Sequence, residues 1–107
     1  MKVIEHILRQ QYGLPVDDEG DHLYAEGDTI VALVIAPHEG NNNRYLVRFA
    51  TRADFDRWAN STVIEKSFAS VGRVCKYLQT NQVAIYQELL KHLHAEYIDI
   101  NTRYMWR

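Results

Sequence analysis

The sequence predicts an α+β fold in which helices pack against an antiparallel sheet. Three observations support this class. Apolar residues recur at helical spacing at the start of the chain and again in its second half, two strand-like runs separated by a turn-rich segment lie between them, and the last residues alternate with period two. No repeat, low-complexity tract or flexible linker divides the 107 residues, so we expect one compact domain over residues 1–107.

The first element is predicted to be an amphipathic helix over residues 3–12. Its apolar stripe consists of Val3, Ile4, Ile7, Leu8 and Tyr12. Gly13 suits the C-terminal end of a helix, and Pro15 prevents its continuation. The sequence therefore places the end of this helix near residue 12.

The next segments predict a small antiparallel sheet. Residues 16–21 are acidic and are expected to form a loop, whereas residues 22–25 suit a short strand. Residues 29–36 are almost entirely apolar and rich in β-branched side chains, as in a central strand covered on both faces. Turn-forming residues then lead into a further strand over residues 44–51. We expect a β-hairpin or a three-stranded meander.

Two or three helices should follow the hairpin. A capping-box pattern, Thr51 with Asp54, begins a short helix, and a second pattern, Thr62 with Glu65, begins a longer one that reaches residue 78. Asn81 can cap another helix, whose apolar stripe consists of Tyr86, Leu89, Leu90, Leu93 and Tyr97. The period-two alternation over residues 98–106 predicts a final strand that returns to the sheet. Pairing of that strand across a homodimer remains an alternative to pairing within the chain.

Composition excludes several classes of protein. Apolar residues make up 47% and charged residues 24% of the chain, which is typical of a folded globular domain. The first nine residues are too often charged to form a secretory signal, and the longest apolar run is too short to span a membrane. The single cysteine, Cys75, allows no disulfide within the chain and lies on an apolar helical stripe, where we expect a core residue. A reducing cytoplasm is the expected location.

The net charge of −2 conceals an uneven distribution along the chain. Residues 13–43 hold seven acidic residues and no lysine or arginine, whereas the remainder has an excess of basic residues. Such asymmetry can mark an interaction surface, and it can also cancel when the two regions pack together. The candidate contacts for a basic protein partner are Asp17, Asp18, Glu19, Asp21, Glu26 and Asp28.

A second candidate surface is basic. Four arginines surround the second strand of the hairpin and the helix after it: Arg44, Arg48, Arg52 and Arg57. Tyr45, Phe49 and Trp58 are interleaved with them, a mixture that nucleic-acid-binding sheets use. Because tyrosine and phenylalanine alternate with the arginines along the strand, however, the aromatic rings should face the core.

Metal-dependent chemistry has weaker support in the sequence. The acidic residues from Asp17 to Asp28 imitate the spacing of a calcium-binding EF-hand loop, but His22 stands where that loop needs glycine and no helix is expected to follow. Glu88, His92 and Glu96 would share one helix face, yet no further ligand is evident and a solvated face is expected. We therefore expect no metal site and no cofactor, and no motif indicates an enzyme.

The sequence thus favours a small non-enzymatic module that binds a basic protein partner, such as an inhibitor, an immunity-type or phage anti-defence-type protein, or a chaperone-like adaptor. A nucleic-acid-associated regulator is the alternative, and a metal-dependent enzyme is a weaker one. The order of an amphipathic helix, an acidic glycine-containing loop and a hydrophobic hairpin over residues 3–50 resembles the start of type III secretion chaperones. The resemblance rests on this order of elements without a diagnostic motif, and no residue role is transferred from it.

Overall fold

The residues that the structure describes form one N-terminal helix, a five-stranded antiparallel sheet and two further helices, which confirms the α+β class. The computed structural model describes residues 1–52 and 62–92. The helix predicted from the Thr51 and Asp54 pattern lies outside the described residues after residue 52, and so does the whole strand predicted over residues 98–106. Within the two described ranges, no helix is long and apolar enough to cross a membrane.

The first helix, α1, spans Lys2–Gln10 and confirms the predicted amphipathic helix. It buries Ile4, Ile7 and Leu8. Gly13 adopts a φ of 63°, and the chain reverses so that the Leu14 N–H donates to the Leu8 carbonyl over 3.0 Å. Because glycine reaches this left-handed conformation without a steric penalty, Gly13 sets the direction in which the chain leaves α1 for the sheet.

The strands lie in the sheet in sequence order, each antiparallel to the next. They are β1 (Val16–Asp18), β2 (His22–Glu26), β3 (Ile30–Ile35), β4 (Tyr45–Thr51) and β5 (Ile64–Phe68). The predicted hairpin is confirmed as β3 and β4, and the predicted short strand is β2. A 3-10 turn over Glu39–Asn41 connects the hairpin strands.

The edge strand β1 corrects the prediction that residues 16–21 form a loop. Val16 pairs with Ala25, and Asp18 pairs with Leu23. In this three-residue strand only Val16 is buried, so the sequence offers one apolar residue and no repeating alternation to detect. The acidic segment consequently forms one edge of the sheet and the turn that follows it.

The opposite edge, β5, corrects the prediction of a helix from Thr62 onwards. Ile64 and Phe68 are four residues apart, a spacing that suits one face of a helix and equally the same face of a strand. In the structure Ile64 pairs with Phe49, and Glu65 pairs with Arg48. Ser70 then caps the next helix by accepting the Arg73 N–H over 3.3 Å.

Two helices follow β5. The first, α2, spans Val71–Thr80, and the second, α3, is helical from residue 82 to residue 92, where the described range ends. Asn81 lies between them: its backbone N–H and its side-chain amide both donate to the Tyr77 carbonyl, while its own carbonyl accepts the Ile85 N–H. Leu90, expected on the buried stripe of α3, is 60% exposed, whereas Leu89 is buried.

The hydrophobic core lies between the helices and one face of the sheet. Leu23, Val34 and Val47 are opposite one another on adjacent strands and are fully buried. The helices contribute these buried residues to the same cluster: Ile4, Leu8, Val74, Leu78, Ile85 and Leu89. On the other face of the sheet, Val31 is buried and Leu33 is partly buried, in agreement with the apolar character of β3 on both faces.

Candidate functional site

The six acidic residues predicted to bind a partner lie at opposite ends of β2. Four of them, Asp17, Asp18, Glu19 and Asp21, belong to β1 and its turn into β2, and we call this group the acidic hairpin. The other two, Glu26 and Asp28, lie at the end of β2 and in the turn to β3. A strand of five residues extends about 16 Å, so the sheet separates the predicted surface into two sites.

The turn of the acidic hairpin is held by its own hydrogen bonds. The Glu19 N–H donates to the His22 carbonyl over 2.9 Å, and the Gly20 N–H donates to the Asp18 carboxylate over 2.9 Å. Gly20 has a φ of 90°, a conformation that residues with a Cβ rarely adopt. The Ala36 N–H also donates to the Asp21 carbonyl, which ties the turn to the end of β3. The carboxylates are thus carried on a defined backbone.

All four side chains of the acidic hairpin are exposed. Asp17 lies opposite Tyr24 and Asp18 lies opposite Leu23, so the two carboxylates occupy opposite faces of the sheet edge. In the part of the chain that the structure describes, no lysine or arginine forms an ion pair with any of the four carboxylates. The hairpin therefore presents concentrated negative charge to solvent on both faces.

Asp21 has an imidazole neighbour. Its carboxylate lies 2.8 Å from Nδ1 of His22, and the Asp21 side chain is 86% exposed. The hydrogen bond from His22 holds the pKa of Asp21 below its usual value. Asp21 consequently keeps its negative charge at lower pH than an isolated aspartate would.

The edge of the sheet beside the acidic hairpin is poorly suited to strand addition. Strand β1 has three residues, two of them charged, and the Arg9 guanidinium donates to the Val16 carbonyl. Arg9 also pairs with Glu5, one turn earlier in α1, over 3.1 Å. Short, charged and covered edges resist pairing with another chain. Side chains, rather than the backbone of β1, are therefore the groups available for contacts.

At the other end of β2, Glu26 does not remain available. It forms an ion pair with Arg52, which lies just after β4, so the pair passes across the intervening strand β3. Val31 stands opposite Glu26 in the register of β2 and β3 and is only 3% exposed. The pair ties β2 to β4, and we remove Glu26 from the candidate contacts.

Asp28 lies beside a cleft of about 350 Å³ that the sequence did not reveal. The cleft separates the β2–β3 turn from α3 and has apolar walls made by Leu14, Ile30, Leu89 and Leu90. The sequence predicts that the leucines of α3 form a buried stripe. This prediction is wrong for Leu90, which is exposed and lines the cleft. Asp28 therefore belongs to a different environment from the acidic hairpin.

Three of the four predicted arginines are engaged within the chain. Arg44 donates to the Ser67 hydroxyl over 3.2 Å, Arg48 pairs with Glu65 over 2.7 Å, and Arg52 pairs with Glu26. Arg57 lies outside the described residues. These contacts join β4 to its neighbours in the sheet, so the basic residues already have a structural role.

The aromatic residues between these arginines face the core, as the alternation predicted. Phe49 is fully buried, and Tyr45 is partly buried against the core cluster. The Tyr12 ring stacks on Phe49 with ring centroids 5.9 Å apart. Trp58 lies outside the described residues. Tyr45 and Phe49 lie on the opposite face of β4 from Arg48, so these rings and the guanidinium groups do not form one surface.

The predicted helix face with Glu88 and His92 is exposed, and Glu96 lies outside the described residues. Glu88 pairs with Lys91 over 3.8 Å. Among residues 1–52 and 62–92, no group of three potential ligand side chains is placed to hold a metal ion. Cys75 is partly buried, and this burial raises the pKa of its thiol. A raised pKa disfavours the nucleophilic thiolate.

Comparison of the chain with protein-family models, with curated proteins and with solved structures found no match.

Proposed function

We propose that the protein is a small non-enzymatic module that binds another protein, and that the acidic hairpin engages a basic surface on that partner. The observation that supports this proposal is the set of four exposed carboxylates without a lysine or arginine partner in the described chain. Two glutamates elsewhere in the sheet are neutralised locally, Glu26 by Arg52 and Glu65 by Arg48.

The proposed interaction is electrostatic in its first stage. Clustered charges of one sign attract an oppositely charged surface over about 8 to 10 Å at physiological ionic strength and increase the association rate. Because the turn is held by its hydrogen bonds, the carboxylates need little reordering on binding. The hairpin is thus suited to steering and orienting a partner, as inhibitors and chaperone-like adaptors require.

The proposal places the protein in the cytoplasm. Its single cysteine, Cys75, is free and only partly buried, and a reducing compartment protects such a thiol from oxidation. An adaptor or inhibitor in that compartment would act on a resident protein. The arginine contacts in the sheet give no specific support to the nucleic-acid alternative.

The test is an affinity purification from host lysate in which the tagged wild type is compared with a neutralised hairpin variant. The hairpin variant carries Asp17→Asn, Asp18→Asn, Glu19→Gln and Asp21→Asn. The matched control changes the net charge by the same amount elsewhere, through Glu5→Gln, Glu39→Gln, Glu65→Gln and Glu88→Gln. Asparagine at position 18 keeps an oxygen that can accept the Gly20 N–H, so the turn is preserved.

We expect a nuclease-resistant protein that the wild type and the control retain and the hairpin variant loses. With that protein purified, the association rate should fall as salt is raised, and neutralising the hairpin should lower it by about tenfold or more at low salt. Equal retention by the hairpin variant and the control would overturn the proposed role of the hairpin. Retention of nucleic acid alone would support the arginine alternative instead.

A further inference from the structure

We infer that the cleft beside the β2–β3 turn is a second binding site, and that its ligand is a small organic cation with an apolar body and a protonated amine. The cleft measures about 350 Å³, within the range of about 300 to 1,000 Å³ that is usual for sites of small ligands. It lies at the opposite end of β2 from the acidic hairpin, and this inference does not depend on the proposed function.

One wall of the cleft is fixed by close packing. Leu14 is 6% exposed and follows the left-handed Gly13, whose φ directs the chain along the cleft. A Cβ on Gly27 would lie 2.7 Å from the Leu14 Cδ2 and 3.2 Å from the Ile30 carbonyl oxygen. The turn therefore approaches Leu14 as closely as it does because position 27 is glycine. The Gly27 N–H also donates to the Ile30 carbonyl over 2.9 Å.

Two tyrosines line the cleft and are held in place by contacts within the chain. The Tyr12 hydroxyl donates to the Leu78 carbonyl over 2.7 Å, which anchors this ring to the end of α2. The Tyr86 ring packs edge-on against Tyr12 with centroids 5.6 Å apart. These contacts hold the tyrosines in place, and the cleft offers an aromatic ring from Tyr86 and leucine side chains from α3 to an apolar body.

The negative charge beside the cleft determines the sign of the charge that a ligand should carry. Asp28 is exposed, and no contact within the described ranges pairs it with a cation. Among the described residues that line the cleft, none is a lysine, an arginine or a histidine. A carboxylate beside an aromatic ring favours an ammonium group through a charged hydrogen bond and a cation–π contact. A single carboxylate among leucines cannot satisfy a metal ion such as calcium, which takes six to eight oxygen ligands.

The test uses three probes that share the indole ring and differ in charge: tryptamine, which is a cation, tryptophol, which is neutral, and indole-3-acetate, which is an anion. Each is titrated into the full ¹⁵N-labelled chain while amide chemical shifts are recorded. We expect shift changes at Gly13, Gly27 and Thr29, which line the cleft. Tryptamine should bind about tenfold more tightly than tryptophol, and indole-3-acetate most weakly, as expected for one charged hydrogen bond.

Two variants and one matched control connect the preference for tryptamine to the cleft. Asp28→Asn should bring tryptamine to the affinity of tryptophol and leave tryptophol unchanged. Asp18→Asn, the matched change at the hairpin, should leave the tryptamine preference intact. Leu90→Lys adds an ammonium group at a position that is 60% exposed, so it should block tryptamine without unfolding the chain.

The inference is overturned if the three probes bind equally, if none binds, or if the shift changes lie outside the cleft. It is also overturned if Asp28→Asn leaves the preference for tryptamine unchanged. None of these outcomes bears on partner capture by the acidic hairpin, because Asp28 is not changed in the hairpin variant. Failure of the cleft and failure of the proposed function are therefore separate results.

Discussion

The two ends of β2 carry the same kind of residue in different surroundings. At the acidic hairpin, four carboxylates are exposed and lack a lysine or arginine partner in the described chain. At the β2–β3 turn, Glu26 is held by Arg52 and Asp28 stands beside an apolar cleft. The difference shows that a block of acidic residues in a sequence does not define one surface, because the register of the sheet decides which carboxylates meet a cation.

The largest contrast between the two ends should be in stability. Leu14→Ala removes a buried side chain beside the cleft and is expected to lower the free energy of unfolding by about 2 to 4 kcal/mol. Asp17→Ala, an exposed change on β1, should alter it by less than about 0.5 kcal/mol. Urea denaturation measures both values. Equal losses would mean that the hairpin is as much a part of the core as the cleft.

The hydrogen bond from Tyr12 gives the next largest effect. Tyr12→Phe leaves the Leu78 carbonyl without this donor and should cost about 1 to 2 kcal/mol at neutral pH. Tyr86→Phe is the control, because its hydroxyl lies 3.4 Å from the Tyr12 carbonyl and contributes little. If both variants unfold at the same urea concentration, the hydrogen bond from the Tyr12 hydroxyl to the Leu78 carbonyl does not stabilise the fold.

The ionisation of Tyr12 should also make the free energy of unfolding depend on pH in the alkaline range. Burial raises the pKa of Tyr12 well above its ordinary value of 10.0 because the phenolate would lose its hydration. Because the pKa is raised in the folded protein, the protonated Tyr12 contributes its full stabilisation of the fold below pH 10. This stabilisation is lost as the pH rises above 10. Burial also raises the pKa of Tyr77. Stability measured above pH 10 should therefore decline less steeply in Tyr12→Phe than in the wild type.

A smaller effect distinguishes a paired from an unpaired carboxylate. Glu26→Gln breaks a partly exposed ion pair and should cost about 0.5 to 1 kcal/mol after solvent screening, whereas Asp17→Asn should have almost no effect. Raising the salt concentration should reduce the difference. An equal response of the two variants in urea would show that the pair between Glu26 and Arg52 does not strengthen the sheet.

The smallest effect is confined to the tip of the acidic hairpin. His22→Gln removes the imidazole that lowers the pKa of Asp21, so the pKa of this carboxyl should rise toward its usual value of 3.8. Because the pKa of Asp21 is lower in the folded protein than in the unfolded chain, ionised Asp21 stabilises the fold at pH values above its usual pKa. This stabilisation disappears as the pH falls through the pKa of the folded protein. Carboxyl ¹³C shifts followed through an acid titration report the change. An unaltered titration would remove His22 as its cause.

Elements with a long helical stripe or a continuous apolar run could be predicted from the sequence. The amphipathic helix α1 and the apolar strand β3 are examples, and both are confirmed, although Val3 of the predicted stripe is 59% exposed. Strand β5 could not be predicted, because Ile64 and Phe68 satisfy helical and strand spacing equally well and the pairing with β4 decides between them. Strand β1 is too short for its single buried residue, Val16, to produce a period.

The candidate site was predicted only in part for a related reason. The sequence identifies the acidic residues, but Glu26 and Arg52 are 26 positions apart and meet through the sheet. The cleft likewise depends on a close approach between Leu14 and Gly27, which no local pattern records. Contacts between distant parts of the chain determine which predicted residues remain available.

The claim that the acidic hairpin is an unneutralised surface is tested most directly by measuring the electrostatic potential at the two ends of β2. Relaxation of amide protons by a cationic nitroxide, compared with relaxation by an anionic nitroxide of the same size, reports that potential residue by residue. We expect the strongest preference for the cationic probe at residues 18–22, and the loss of this preference in the neutralised hairpin variant. Equal relaxation of these amides by the two probes would contradict the claim that the acidic hairpin is an unneutralised surface available to a basic partner.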